Sequence, residues 1–536
     1  MYRLITACLL LVLTACSGDT AQEPEARHFD LLLRSGMLYD GSDQPPRQAD
    51  IAINGDRIAA IGDLSADTAS REIELNGLAV MPGFIDIHSH AGDSQDDGMF
   101  RWPDAENLIR QGVTSVVGGP DGSSALPLRE TFDAFEALGV SVNYASFVGH
   151  GSVREQVMGQ EDRAPDAEEL EQMQALVAEA MQEGAFGLSS GLIYVPGRFA
   201  DTDEVVALAR VAGEYGGIYI SHMREEGLAL LDSVAETIHI GEAAGLPTQL
   251  THHKVVGAPM WGRSEDSLRM VDEAIARGVD VSIDQYPYTA SSTNLGILFP
   301  GWALSGGREA LLDRMQDPEL RQRLRNDLVY NIEVDRGGDN PANVVIAECP
   351  HDESLTAMNL SQILQQQGRE SNKENAADLL MELMEAGNCA AVFHAMHEDD
   401  VRNIMQHPQT MIASDGGVQA LSDRSPHPRN YGTFARVLGH YARDEGVLPL
   451  HTAIHKMTQL PADRLGINDR GRLEAGAIAD IAVLDLDTVI DRSTFTDPHQ
   501  YADGAEHVFV GGKAVLLDGA MTGQRPGRVI RSSAYR

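Results

Sequence analysis

Gly83-Phe84-Ile85-Asp86-Ile87-His88-Ser89-His90 is the stretch on which the fold turns: a short apolar, β-branched run that ends in a His–X–His pair. Three similar runs follow at long intervals and also end in residues that bind metals. They are Tyr219-Ile220-Ser221-His222, Leu250-Thr251-His252-His253-Lys254 and Ile412-Ala413-Ser414-Asp415-Gly416. Runs of this kind read as buried parallel strands. Ligands at the ends of successive parallel strands converge on one point in a (β/α)₈ barrel, whose active sites lie at the C-terminal face. Imidazole and carboxylate together suit Zn²⁺ or a similar divalent ion.

The 536 residues are enough for a barrel of about 250 residues with attached domains. With 43% hydrophobic and 23% charged residues, the composition is that of an ordinary globular protein. A net charge of −39 argues against nucleic acid as a partner. Lysine is scarce, with only Lys254, Lys373, Lys456 and Lys513. Residues 1–16 read as a leader, with a basic Arg3, an apolar run Leu4–Leu13, and Leu13-Thr14-Ala15-Cys16 in the manner of a bacterial lipobox. On that reading Cys16 is lipidated and 17–28 is a polar tether on an exported, periplasm-facing lipoprotein, sorted to the outer membrane of a Gram-negative cell. A plain secretory signal is the alternative. Cys8 leaves with the leader, and the remaining Cys349 and Cys389 are expected as two buried free thiols, since two cysteines alone do not specify a bridge.

Eight barrel strands are expected at Ile85–His88, Ser115–Gly118, Tyr144–Val148, Gly187–Ser190, Tyr219–Ser221, Gln249–Thr251, Ser282–Asp284 and Met411–Ser414. Helical patterns such as Ala167–Gln182, Leu230–Ala244 and Ser267–Arg277 fill the gaps, as βαβ units require. Val344–Ala347 and Ala391–Phe393 are left over within a long stretch, about 296–408, that reads as an inserted subdomain before the last barrel strand. Short strands also stand at both chain ends: Asp30–Leu33, Asp50–Ile53 and Arg57–Ile61 at one, His507–Val510 and Lys513–Val515 at the other.

The chain resembles the amidohydrolase superfamily and, within it, the N-acyl-D-amino-acid deacylases (D-aminoacylases). The likeness rests on Met81-Pro82-Gly83 with the opening His–X–His run, Ser189-Ser190-Gly191-Leu192-Ile193-Tyr194, Ser221-His222-Met223-Arg224, Thr251-His252-His253-Lys254 and His427-Pro428-Arg429-Asn430-Tyr431-Gly432-Thr433-Phe434. The resemblance implies a β-sandwich built from 29–80 and 466–536 beside a barrel spanning 81–465. It implies one tightly bound Zn²⁺ at His222 and His252 and a second, weaker ion at His88 and His90. Many members carry a cysteine ligand after the second strand. Here Gly118-Gly119-Pro120-Asp121-Gly122 places Asp121 at that position, and a carboxylate can ligate or bridge divalent ions. The superfamily's other device, a carboxylated lysine on the fourth strand, is excluded because 184–191 contains no lysine.

The expected chemistry is hydrolysis of the amide of an N-acyl-D-amino acid, or of a dipeptide ending in a D-residue, a carbon–nitrogen bond other than an ordinary peptide bond. A divalent ion polarises the carbonyl and acidifies a water. Asp415, a sixth metal ligand, is the expected general base and then acid. An α-carboxylate calls for a bidentate Arg, and the resemblance assigns this to Arg429, with Lys254 and a Tyr and a Ser of the 286–293 segment assisting. It does not say which Tyr, Tyr286 with Ser292 being favoured, and Tyr194 stands where it could reach the mouth. His253 points to the opposite strand face from His252, and His150 lines the site or packs. The alternatives are a cyclic amidase of the dihydroorotase or hydantoinase kind, or an inactive binding lipoprotein.

Overall fold

The computed structural model describes residues 26–93, 97–421 and 424–535. The expected leader, Cys16 and most of the tether lie outside the described residues.

All eight barrel strands form, at Phe84–Asp86, Val113–Gly118, Asn143–Ser146 (continued by Val148–Gly149), Gly187–Gly191, Ile218–His222, Thr248–Leu250, Val281–Gln285 and Thr410–Ile412. Every residue in them is buried, which is why they lack the alternation of polar and apolar residues seen in half-exposed strands. Neighbours pair in parallel, for example Ser115 with Asn143, Ile220 with Gln249 and Ile283 with Thr410. The ring closes where the Asp415 amide donates to the His88 carbonyl at 3.0 Å and the His90 amide to the Gly416 carbonyl at 2.7 Å. Two ligand segments are thereby tied directly to each other. The helices Ala167–Glu183 and Leu230–Ala244 follow their expected bounds closely. The first is fixed by a capping box, with Asp166 accepting from the Glu168 and Glu169 amides.

The two chain ends meet in one nine-stranded sheet. Its seam is the antiparallel pairing of Ala79–Pro82 with Ile481–Leu484, Met81 facing Ala482. Leu33, Ile51, Ile53, Val80, Ile481 and Phe509 are among the residues of its core. The chain passes from this sheet into the first barrel strand through Gly83, where a Cβ would fall 2.2 Å from the Thr114 side chain. The strands Thr68–Glu74 and Ala79–Pro82 are additions to the expected set, the first because its residues are mostly exposed and polar. Residues 527–530 leave the sheet and run beside the third barrel strand, the Tyr144 amide donating to Arg528 at 3.0 Å and the Ile530 amide to Tyr144 at 2.7 Å.

The inserted subdomain is real, with shifted bounds. Its three-stranded sheet sets Ala390–Phe393 between Ser291–Asn294 and Val344–Glu348. It therefore begins at Ser291 and ends near Phe393, while the helix Glu398–Gln406 packs on Ser264–Ala276 and Thr410–Ile412 as part of the barrel. Helices Gly307–Gln316, Pro318–Val334 and Lys373–Ala386 enclose a separate core around Leu328, Ile346 and Phe393. The expected free thiols are corrected: Cys349 and Cys389 form a disulfide. They follow and precede the adjacent strands Val344–Glu348 and Ala390–Phe393, a proximity invisible until the register is known.

Candidate active site

Asp121, His222, His252 and Asp415 face one cavity of about 360 Å³ at the C-terminal ends of the barrel strands, with His90 on its rim. His88 lies beneath, fully buried. The imidazoles and carboxylates fall into two overlapping groups, His88–His90–Asp121–Asp415 and Asp121–His222–His252, with Asp121 common to both. His88 Nε2 is 3.4 Å from Asp121 Oδ1 and 3.6 Å from Asp415 Oδ1, and His90 Nε2 is 3.1 Å from Asp415 Oδ1. On the other side His252 Nε2 lies 3.3 Å from Asp121 Oδ1, and His222 Nδ1 lies 3.5 Å from Asp121 Oδ2. His252 Nε2 and His222 Nδ1 face each other at 2.8 Å.

These residues fit a divalent ion. Both nitrogens of His88, Nε2 of His222 and Oδ1 of Asp121 are buried with no hydrogen-bond partner, an arrangement that is costly unless something else satisfies them. The electrostatics agree. Burial alone would lower His88, yet Asp121 and Asp284 beside it raise it to about 10. His90 is driven well up, burial being outweighed by Asp93, Asp121 and Asp415. Burial and the charge of His252 lower His222 to about 4, leaving it neutral. Burial would raise Asp415, but Arg429 and the surrounding histidines hold it far below the carboxylate range.

The local backbone explains how these side chains reach one point. Asp121, His252 and Asp415 all hold positive φ, +54°, +34° and +48°. Such strain in non-glycine residues concentrates at functional sites. Gly191, in the Ser-Ser-Gly run, lets the fourth strand approach the Asp121 loop, since a Cβ there would fall 2.1 Å from the Asp121 carbonyl oxygen.

The expected substrate residues line the same cavity: Lys254, Arg429, Tyr286, Ser292 and Tyr194. Arg429 Nη1 donates to Asp415 Oδ2 at 2.7 Å, and its Nη2 to the Ser292 carbonyl at 3.4 Å. Tyr286 contributes its ring face, with Arg429 at 4.9 Å and Lys254 at 5.5 Å from the centroid. Its hydroxyl turns instead towards Met396 Sδ at 3.9 Å. Tyr194 packs its ring against His222 at 4.7 Å and donates to Thr293 Oγ1 at 3.3 Å. His253 points away, to Ser267 Oγ at 2.8 Å. His150 is bonded to Glu204 at 2.9 Å in a buried cluster with Arg154, a packing role.

Sequence reading missed three residues. Glu226, four residues after His222, is fully buried, with Oε1 2.6 Å from Lys254 Nζ and 3.1 Å from His252 Nδ1. Its position in Ser221-His222-Met223-Arg224-Glu225-Glu226 was a usable signal. Asp284 is the penultimate residue of the seventh strand, where Oδ1 accepts the His252 amide at 2.7 Å and lies 3.6 Å from His88 Nδ1. Arg336, from the inserted subdomain, left no signal in the sequence.

The comparisons with known proteins agree with this geometry. The amidohydrolase family model matches residues 71–516. A D-aminoacylase of Alcaligenes xylosoxydans xylosoxydans is 38% identical over 535 residues, covering 96% of this chain and 99% of that protein. A structure from work on the binuclear metal centre of D-aminoacylase superposes with a TM-score of 0.79 at 35% identity, covering 94% of this chain and 100% of its own. The N-acyl-D-glutamate deacylase of Bordetella bronchiseptica, complexed with zinc and a phosphonate mimic of the tetrahedral intermediate, gives 0.80 at 32% identity with the same coverage. With its closed barrel, its two-part sheet and its convergent His/Asp cluster, this chain belongs to the amidohydrolase family.

Proposed function

We propose that this chain hydrolyses N-acyl-D-amino acids, or dipeptides ending in a D-residue, to a carboxylate and a free D-amino acid. The observation that carries the reading is the position of Asp415. One carboxylate oxygen faces His88 and His90, while the other is held by Arg429 at 2.7 Å above the Tyr286 ring. A proton acceptor thus stands between a metal-ligating cluster and a cationic grip. His222, His252 and Asp121 would hold a tightly bound Zn²⁺, and His88, His90, Asp415 and the shared Asp121 a second, weaker ion. When bound, such an ion polarises the scissile carbonyl and lowers the pKa of a water.

The chain's own groups do the rest. Asp415 is ionised at neutral pH, so it takes the proton of the attacking water and returns it to the leaving amine. Arg429 and Lys254 orient the α-carboxylate, and the Tyr286 face supports both cations. D-selectivity is supported by the relatives and by no single residue. The test is release of free amine from paired N-acetyl-D- and N-acetyl-L-amino acids by metal-loaded protein. Turnover confined to the D-series and lost in Asp415→Asn is expected, and equal turnover of both series would overturn the stereochemical assignment. We also propose export and lipid anchoring through Cys16, supported by Leu13-Thr14-Ala15-Cys16 after an apolar run. Labelled fatty acid should enter the wild-type chain and not Cys16→Ala.

A further inference from the structure

One carboxylate backs both histidines of the Asp121–His222–His252 group. Glu226 Oε1 lies 3.1 Å from His252 Nδ1, and Oε2 lies 3.7 Å from His222 Nε2. These are the ring nitrogens turned away from Asp121: His252 Nε2 and His222 Nδ1 are the pair that face it. An imidazole that ligates through one nitrogen carries its proton on the other, and a carboxylate accepting that proton fixes the tautomer and the ring angle. Glu226 is placed to do this for His252, while at 3.7 Å from His222 Nε2, beyond hydrogen-bond distance, it acts on that ring as a neighbouring charge.

Glu226 is itself held by two cations. Lys254 Nζ donates to Oε1 at 2.6 Å from the strand end that carries His252. Lys254 also lies 2.6 Å from His252 Nδ1; were His252 to ligate through Nε2, Nδ1 would carry the proton and Glu226 would accept it, leaving Lys254 bonded to Glu226 alone. Arg336 Nη2 donates to Oε2 at 2.6 Å from a position 110 residues away. Arg336 follows the helix Pro318–Val334 of the inserted subdomain and is only 2% exposed. Gly337 turns the chain there, since a Cβ would fall 2.4 Å from the Ile332 backbone. With all these groups buried, loss of Arg336 would leave Glu226 short of one of its two cations in a low-dielectric setting.

We propose that Arg336 is a positioning residue by which the inserted subdomain completes the metal centre: docked on Glu226, it sets how tightly His222 and His252 hold their ion. The subdomain is then a working part of the centre as well as a wall of the cavity. This rests on the ligand set proposed above, and its test reads metal release and not turnover, so the two can fail separately.

The experiment is the rate of Zn²⁺ transfer from zinc-loaded full-length protein to a chromogenic chelator, for wild type, Arg336→Met, Arg336→Lys, Glu226→Gln and the Arg336→Met/Glu226→Gln double variant. Losing such a supporting contact costs roughly 10–100-fold in affinity. Arg336→Met is expected to release zinc at least about tenfold faster, with Arg336→Lys between it and wild type, and with the double variant no faster than Glu226→Gln alone. Zinc release at the wild-type rate from Arg336→Met overturns the proposal, even where turnover falls. So does an additive double variant. If Arg336→Met fails to accumulate, Arg336→Lys decides: its single-point donor must release zinc at least about threefold faster than wild type, and equality overturns the proposal. Zinc content and release rate both unchanged from wild type in His222→Ala/His252→Ala would instead refute the ligand set itself.

Discussion

Asp415 combines three demands: left-handed backbone, a hydrogen bond to Arg429 and proximity to two histidines. Asn is among the residues that tolerate positive φ best, so Asp415→Asn preserves the shape while removing the proton acceptor. Turnover should fall by a factor on the order of 10²–10⁴, with zinc content at His222 and His252 retained. A variant that keeps wild-type kcat would remove Asp415 from its role. His88 and His90 differ from His222 in a measurable way. Neighbouring carboxylates raise the first two, His88 to about 10, whereas His222 lies near 4. At pH 7 the metal-free His88–His90 pair therefore carries protons that an incoming ion must expel. Because these pKa values are raised, competition weakens as pH rises, so occupancy of the His88–His90 position should climb between pH 6 and 9. Calorimetric titration in buffers of different ionisation enthalpy should register at least one proton released per ion there. No release would contradict the assignment.

Among the elements, the barrel strands were legible because they are short buried segments, several of them ending in or closely followed by a ligand such as His88, His222, His252 or Asp415. Ser291–Asn294 was not, because it is polar and sits at the edge of a sheet. Its pairing with Ala390–Phe393 is a tertiary fact that no local pattern encodes. Arg336 is hidden for the same reason: nothing near it in sequence marks a residue whose partner is 110 positions away. Glu226 and Asp284 were closer to hand, each fixed by its distance along the chain from a ligand or a strand end. The two cysteines could not be paired by reading, yet their bridge closes a loop of 40 residues at the end of the sheet that walls the cavity. A loop of that length is worth about 4 kcal/mol in the chain-entropy account. Cys389→Ser, or reduction of the wild type, should lower the thermal stability of the inserted subdomain by roughly 2–4 kcal/mol. Unchanged melting under reductant would show that its helical core suffices.

On the scale of the whole molecule, sheet and barrel share one seam. Met81 pairs with Ala482 two residues before the Gly83 turn into the first ligand-bearing strand, and Ala482 is fully buried. An Ala482→Asp substitution buries an unpaired charge at that seam, a change typically costing several kcal/mol. Sheet and barrel should then melt earlier and together in a calorimetric scan. Two separate transitions, only one of them shifted, would show that the halves fold independently.

That seam also imposes an order in time. Ala79–Pro82 pairs on one side with His28–Leu38, already made, but its other edge is covered only when Ile481–Leu484 has been synthesised. At translation rates of about 5–20 residues per second, the interval is roughly 20–80 seconds. Throughout it, an apolar strand edge stands bare immediately before the His88–His90 segment. The newborn chain therefore carries an aggregation-prone edge beside its first metal ligands, and about the last tenth of the sequence is what covers it.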